Sequence, residues 1–152
     1  MVSFEVYPTS YQRTWANILH MSTGENMARY GDRTPGIWFH RNPTSTTTNK
    51  LHIVSAVNGN ANYVHSSKKK FSINKWIKVK VEQREENEEA IYRIYLDDEK
   101  VHETINNKPS SFDNVKVYVS DQWYPAQKGK IRNLIINNWI APGSILVYDV
   151  IA

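Results

Sequence analysis

The residues predict an all-β protein, and three observations carry that prediction. Val and Ile together number 27, whereas Leu and Ala number 13. A branched Cβ packs well on a pleated sheet and loses rotamer freedom in a helix. Eighteen aromatic residues and fifteen Asn press the same way, toward strands joined by polar turns. No stretch holds helical apolar spacing over a dozen residues, so little helix is expected.

Short strands are predicted in chain order at 2–7, 15–21, 36–40, 50–57, 61–66, 75–84, 90–96, 100–105, 115–120, 130–137 and 145–151. Many short strands between turn residues mark sandwiches and barrels. The first run is Val2-Ser3-Phe4-Glu5-Val6-Tyr7. Pro43-Thr44-Ser45-Thr46-Thr47-Thr48 reads as a solvated loop. In 75–84, Ile77, Val79 and Val81 alternate with Lys78, Lys80 and Glu82, giving one dry and one wet face. In 90–96, Ile91, Arg93 and Tyr95 alternate with Tyr92, Ile94 and Leu96, so both faces are partly apolar, as in a more central strand. Hairpins are expected to turn through Glu85-Glu86-Asn87-Glu88-Glu89 and through Asp97-Asp98-Glu99-Lys100. Ala141-Pro142-Gly143-Ser144 reads as a turn or short linker. The apolar run 145–151 after it is a last strand of the same sheet, a strand donated to a neighbouring copy, or an appended tag.

Length and composition bound the function. A chain of 152 residues suits one domain. With 40% apolar and 22% charged residues it is not a disordered chain. No apolar run is long enough to span a membrane, so no membrane insertion is expected. With Cys 0 there is no disulfide framework, thiol nucleophile or zinc–cysteine site. A net charge of +4 does not argue for nucleic acid, and neither a recognition helix nor an aromatic-studded basic groove is present. Met1 leads directly into a strand with no signal peptide, which suits a cytoplasmic protein or a module cut from a longer chain; the module reading is preferred.

The order of several stretches resembles the concanavalin A-like, laminin G-like jelly-roll superfamily. The carriers are Trp76-Ile77-Lys78-Val79-Lys80-Val81-Glu82, then Ile91 through Val101, Val115 through Asp121, and Gly129-Lys130-Ile131-Arg132-Asn133-Leu134. The N-terminal half is similar to a subgroup found in invertebrate extracellular and matrix proteins, through Trp15-Ala16-Asn17-Ile18-Leu19-His20, Tyr30 through Phe39, and Leu51 through Asn60. Glu99 stands where the family often has Gly. The resemblance implies a jelly-roll sandwich of two antiparallel sheets over 2–138, with 139–144 as linker and 145–152 as an extra strand. It implies a non-catalytic, extracellular recognition module for adhesion or matrix association, binding a glycan or a protein. A structural protein whose copies join through 145–151 is the competing reading.

Catalysis is not expected. The superfamily's glucanases need two carboxylates on one strand face, and Asp97-Asp98-Glu99 are consecutive in a turn, so they cannot all face one cleft. The five Glu between Glu82 and Glu89 read as a solvated hairpin. His20, His40, His52, His65 and His102 form no metal-ligand motif; His20 and His52 read as hydrogen-bonded sheet residues. There is no nucleophile elbow and no phosphate loop. Asn42-Pro43-Thr44 is blocked as a glycosylation site by its proline.

Three binding surfaces remain. Calcium is a candidate cofactor, with Asp32, Asn58 and Asn60 as oxygen donors, although Gly-Asp and Asn-Gly are also ordinary turn chemistry. Sugar is a candidate ligand for Trp123 and Tyr124 in the loop Gln122-Trp123-Tyr124-Pro125; the alternative is that these rings fold back over the core. Trp15 and Trp38 read as core. Lys68, Lys69 and Lys70, with Lys75, Lys78 and Lys80, carry no acid between them, and Lys128, Lys130 and Arg132 make a second basic group. Together they suit a heparan-like glycan or an acidic partner, or serve only as a solvated face.

Overall fold

The computed structural model describes residues 1–26, 29–137 and 149–151. Among these residues there are thirteen strands and no helix. They are β1 (Val2–Pro8), β2 (Ala16–Ser22), β3 (Gly36–Phe39), β4 (Thr48–Asn49), β5 (Leu51–Val57), β6 (Asn60–Ser66), β7 (Phe71–Ser72), β8 (Ile77–Glu86), β9 (Glu89–Leu96), β10 (Glu99–Ile105), β11 (Lys116–Tyr118), β12 (Gly129–Ile136) and β13 (Asp149–Ile151). Sheet A runs β10-β9-β8-β1-β12, and sheet B runs β13-β11-β2-β3-β5-β6. β4 and β7 form a small separate ribbon. The two sheets pack face to face as a jelly-roll sandwich.

The expected strands are present, with altered ends. The strand at 50–57 starts one residue later as β5, β4 and β7 were not foreseen, and 115–120 contracts to β11. Residues 138–148, which include the expected linker and the first half of the last predicted strand, lie outside the described residues. The strand ladders of both large sheets are antiparallel except one: β11 and β13 pair in parallel, Val117 opposite Val150. This departs from two wholly antiparallel sheets. Parallel neighbours need a long crossover, and all of β12 intervenes between these two strands.

The core follows from the period of two. Val2, Phe4 and Val6 of β1, Ile77, Val79 and Val81 of β8, and Tyr92, Ile94 and Leu96 of β9 face inward from sheet A. They meet Leu19 and Met21 of β2, Ile37 and Phe39 of β3, Leu51, Ile53 and Val57 of β5, and Val117 of β11. Burying one such side chain contributes about 1.5–3 kcal/mol. Lys78 and Lys80 point outward as expected, but Glu82 does not belong to a wet face. It is 4% exposed and pairs with Lys80 and Arg84 at 3.3 and 3.1 Å.

The hairpins turn through Asn58-Gly59, Asn87-Glu88 and Asp97-Asp98, and all six residues have positive φ. Two consecutive left-handed residues match the twist of the flanking strands. Asn and Asp tolerate that conformation better than most residues. In β12 the register against β1 slips by one residue: Ser3 faces Ile135, but Glu5 faces Arg132. The extra residue forms a bulge, with Asn133 at φ 54.

Candidate functional site: the outer face of sheet B

The middle strands of sheet B are buried on both sides. β2 is buried at every position, and β5 at every position except His52. With Leu19, Ile37, Phe39, Leu51 and Ile53 facing the core, alternation places His20, Trp38, His52 and Val54 on the opposite face. Two loops, 29–35 and 120–127, carry the side chains that cover this outer face.

His20 and Asp121 fasten both loops. His20 Nδ1 lies 2.8 Å from Asp121 Oδ2, with both side chains 0% exposed. His20 Nε2 donates to the Asp32 carbonyl at 2.6 Å. The Asp121 side chain on one side and the Asp32 carbonyl on the other thus hold the two ring nitrogens, one loop to each. Asp121 Oδ1 accepts from the Trp123 and Tyr124 amides, at 3.0 and 2.9 Å. The Asp121 amide donates to Asn17 Oδ1 on β2.

The aromatic rings then lie over the sheet. Trp123 sits 5.2 Å from the His20 ring and 5.8 Å from Tyr118. Tyr124 meets Trp38 edge-on at 5.6 Å. Trp38 lies so close to the backbone that a Cβ on Gly36 would collide with its ring. The Arg33 guanidinium covers Trp38 at 4.9 Å and donates to Asn26, to Asn62 Oδ1 and to the Tyr124 hydroxyl. Toward the far end, Trp15 is half-buried, with its ring 4.7 Å from both His40 and His52. Burial, helped by the His40 and Arg33 charges, pushes the His52 imidazole down to about 4. Burial and Lys50 lower His40 as well.

The residues singled out in the sequence fall on different parts of the molecule. Trp123 and Tyr124 do fold back over a sheet, yet each stays half-exposed beside Arg33 and Asn62. Trp38 is buried as expected, but on the outer face rather than in the inter-sheet core; Trp15 is not a core residue. Asp32 is buried, with its carboxylate accepting from the Arg29 amide at 2.8 Å. Asn58 Oδ1 accepts from the Asn107 amide, and Asn60 Oδ1 from the Asn62 amide. Among the described residues no group of three or more His, Cys, Asp or Glu gathers to hold a metal.

The basic groups come together only in part. Lys130 and Arg132 on β12 share the outer face of sheet A with Lys78 and Lys80 on β8, one strand away across β1. Acids from β1 and from the turn between β9 and β10 are set among them: Glu5 binds Arg132, Asp98 binds Lys78, and Asp97 binds Lys69. Lys68 and Lys70 flank Lys69 in the turn before β7, and Lys128 precedes β12; all three are exposed.

Arg33, Asn62, Trp15, His40 and His52 were not foreseen as site residues. Strand parity held part of the signal. If Ile37 and Phe39 face the core, Trp38 must face away, and His52 likewise between Leu51 and Ile53.

No protein-family model matches the chain. No curated protein matches it either. Among solved structures it is similar to a native heptameric SAP-like pentraxin from Limulus polyphemus, with a TM-score of 0.39 and 7% sequence identity. The likeness covers 88% of this chain and 80% of that one. A likeness of this degree transfers no function.

Proposed function

We propose that the chain is a non-catalytic recognition module of the concanavalin A-like, laminin G-like superfamily, working outside the cell in adhesion or matrix association. Its ligand is a glycan, taken on the outer face of sheet B. One observation carries this reading: Trp123 and Tyr124 are half-exposed aromatic rings on a loop that the buried Asp121 holds rigidly to the sheet. Rigid rings beside hydrogen-bonding amides and a guanidinium are what a pyranose needs, for stacking and for its hydroxyls. Arg33, Asn26 and Asn62 stand beside them. The charged face of sheet A draws less support as a polyanion surface, because acids are set among its bases. Calcium at Asp32, Asn58 and Asn60 also draws less, because backbone amides already occupy these oxygens. The pairing of β13 with β11 supports 145–152 as an added strand of this chain's own sheet beyond a 2–138 domain, rather than a strand joining copies.

The test is a glycan array probed with the whole chain, followed by titration of the best hit with Tyr124→Ala and Trp123→Ala. Each variant is expected to weaken binding at least tenfold while its circular dichroism stays that of the parent. A chain that binds no glycan, or variants that bind as the parent does, would overturn the glycan reading.

A further inference from the structure

Two histidines and a serine on the outer face of sheet B converge in a way that glycan binding does not use. His52 lies on β5, opposite Trp38 of β3 and Ser66 of β6. His40 follows β3 directly, and its amide donates to the Lys50 carbonyl. All three side chains therefore share one face at neighbouring positions. His40 Nε2 is 3.0 Å from Ser66 Oγ, and His52 Nδ1 is 3.3 Å from the same oxygen. Two imidazole nitrogens thus point at a single hydroxyl. Both histidines are half-buried and Ser66 is exposed, so the point is open to solvent.

We propose that His40, His52 and Ser66 form an open site for a borderline divalent transition-metal ion, with copper(II) the best fit. Imidazole nitrogens suit such ions, which take them at roughly 2 Å. Two imidazoles held cis on one ion put their ring centres about 4.5–5 Å apart on that bond length, from the square to the tetrahedral limit of the angle between them. Here the ring centres are 5.0 Å apart and the planes cross at 82°. That crossing lets both in-plane lone pairs address one point. The other close pair differs: the His65 and His102 rings are also 5.0 Å apart, but tilted by only 34°. Both proposed ligands resist protonation, as a metal ligand must. Lys50 and Arg33 stand close enough to be felt, so the affinity is modest. Water completes the coordination. The proposal is independent of the glycan reading.

Trp15 supplies the readout, because its ring touches both imidazoles and bound copper(II) quenches a neighbouring indole. Copper(II) sulfate titrated into the whole chain at neutral pH should quench part of the tryptophan emission to saturation at one equivalent. His40→Gln and His52→Gln should each raise the midpoint at least tenfold, and Ser66→Ala a few-fold. His65→Gln and His102→Gln should leave it unchanged. Calorimetry on Trp15→Phe should still find the site without the optical signal. Saturable binding that survives both His40→Gln and His52→Gln, or no saturable binding in the parent, overturns the proposal. A melt of each variant separates a lost ligand from a lost fold.

Discussion

On the outer face of sheet A, Arg93 reaches Glu86 at 2.7 Å and also pairs with Glu103, through side chains that still meet water. On the outer face of sheet B, His20 and Asp121 meet at 2.8 Å with no exposure at all. The lengths are alike and the consequences are not. Solvent screens the first network and competes for its partners. The second has no solvent to fall back on, so each lost partner leaves a buried polar group unpaired. Sheet A therefore uses charge to keep a face wet, and sheet B uses it to bolt loops onto a face that has become dry.

The largest expected effect breaks the buried side of this comparison. Asp121→Ala strands the His20 ring and frees the Trp123 and Tyr124 amides, and should cost about 3–5 kcal/mol. A urea melt followed by circular dichroism measures the loss. The emission of Trp123 should shift to the red as the loop lifts. A loss under about 1 kcal/mol, the range of an exposed pair, would erase the distinction between the two faces.

Acid separates the faces next. His40, His52, His65 and His102 all have imidazoles pushed below the ordinary 6.5, chiefly by burial. Above 6.5 neither the folded nor the unfolded chain protonates them. As pH falls from 6.5 toward 4, the unfolded chain takes up protons that the folded chain refuses, so stability drops. His52 is partly exposed, and after discounting for that its share is of order 1 kcal/mol. The outer face of sheet A contributes little over this range: Lys100 and Arg93 hold Glu103 at about 2, and Arg132 and Arg93 keep Glu5 and Glu86 below the usual carboxylate range. The melting midpoint should fall between pH 7 and pH 5, and His52→Gln should flatten that slope. A midpoint unchanged over this interval would contradict the burial of these rings.

The smallest effect belongs to sheet A. Arg93→Ala should lower the melting midpoint only slightly at low salt, and the midpoint should approach the parent's as salt rises. A larger, salt-independent loss would mean that this network is as dry as the one under Trp123.

Legibility follows the same division. β8 was readable residue by residue, since Ile77-Lys78-Val79-Lys80-Val81 states which face is wet. Glu82 broke the pattern, because Lys80 and Arg84 reach it and exclude water, and their contact is a matter of rotamers. Sheet B was readable as strands but not as a site. Its residues announce burial on both faces without naming the cover. Asp121 gave no sign of reaching His20, 101 positions earlier. Trp38 passed for core because a buried tryptophan under a loop and one between sheets look the same in a sequence. The lysine runs were read without their acids, which come from β1 and from the turn after β9.

The bulge in β12 bears on how the molecule behaves in a crowd. β12 ends sheet A, and it carries Ile131, Leu134, Ile135 and Ile136, with Ile135 53% exposed. A straight strand of that composition at a sheet's end is a seed for fibres. A second chain aligning here would have to reproduce the extra residue at Asn133 and strip water from Lys130 and Arg132. One misfitting residue and two cations thus act as gatekeepers, letting the sandwich close its core with an oily strand without offering that strand to others.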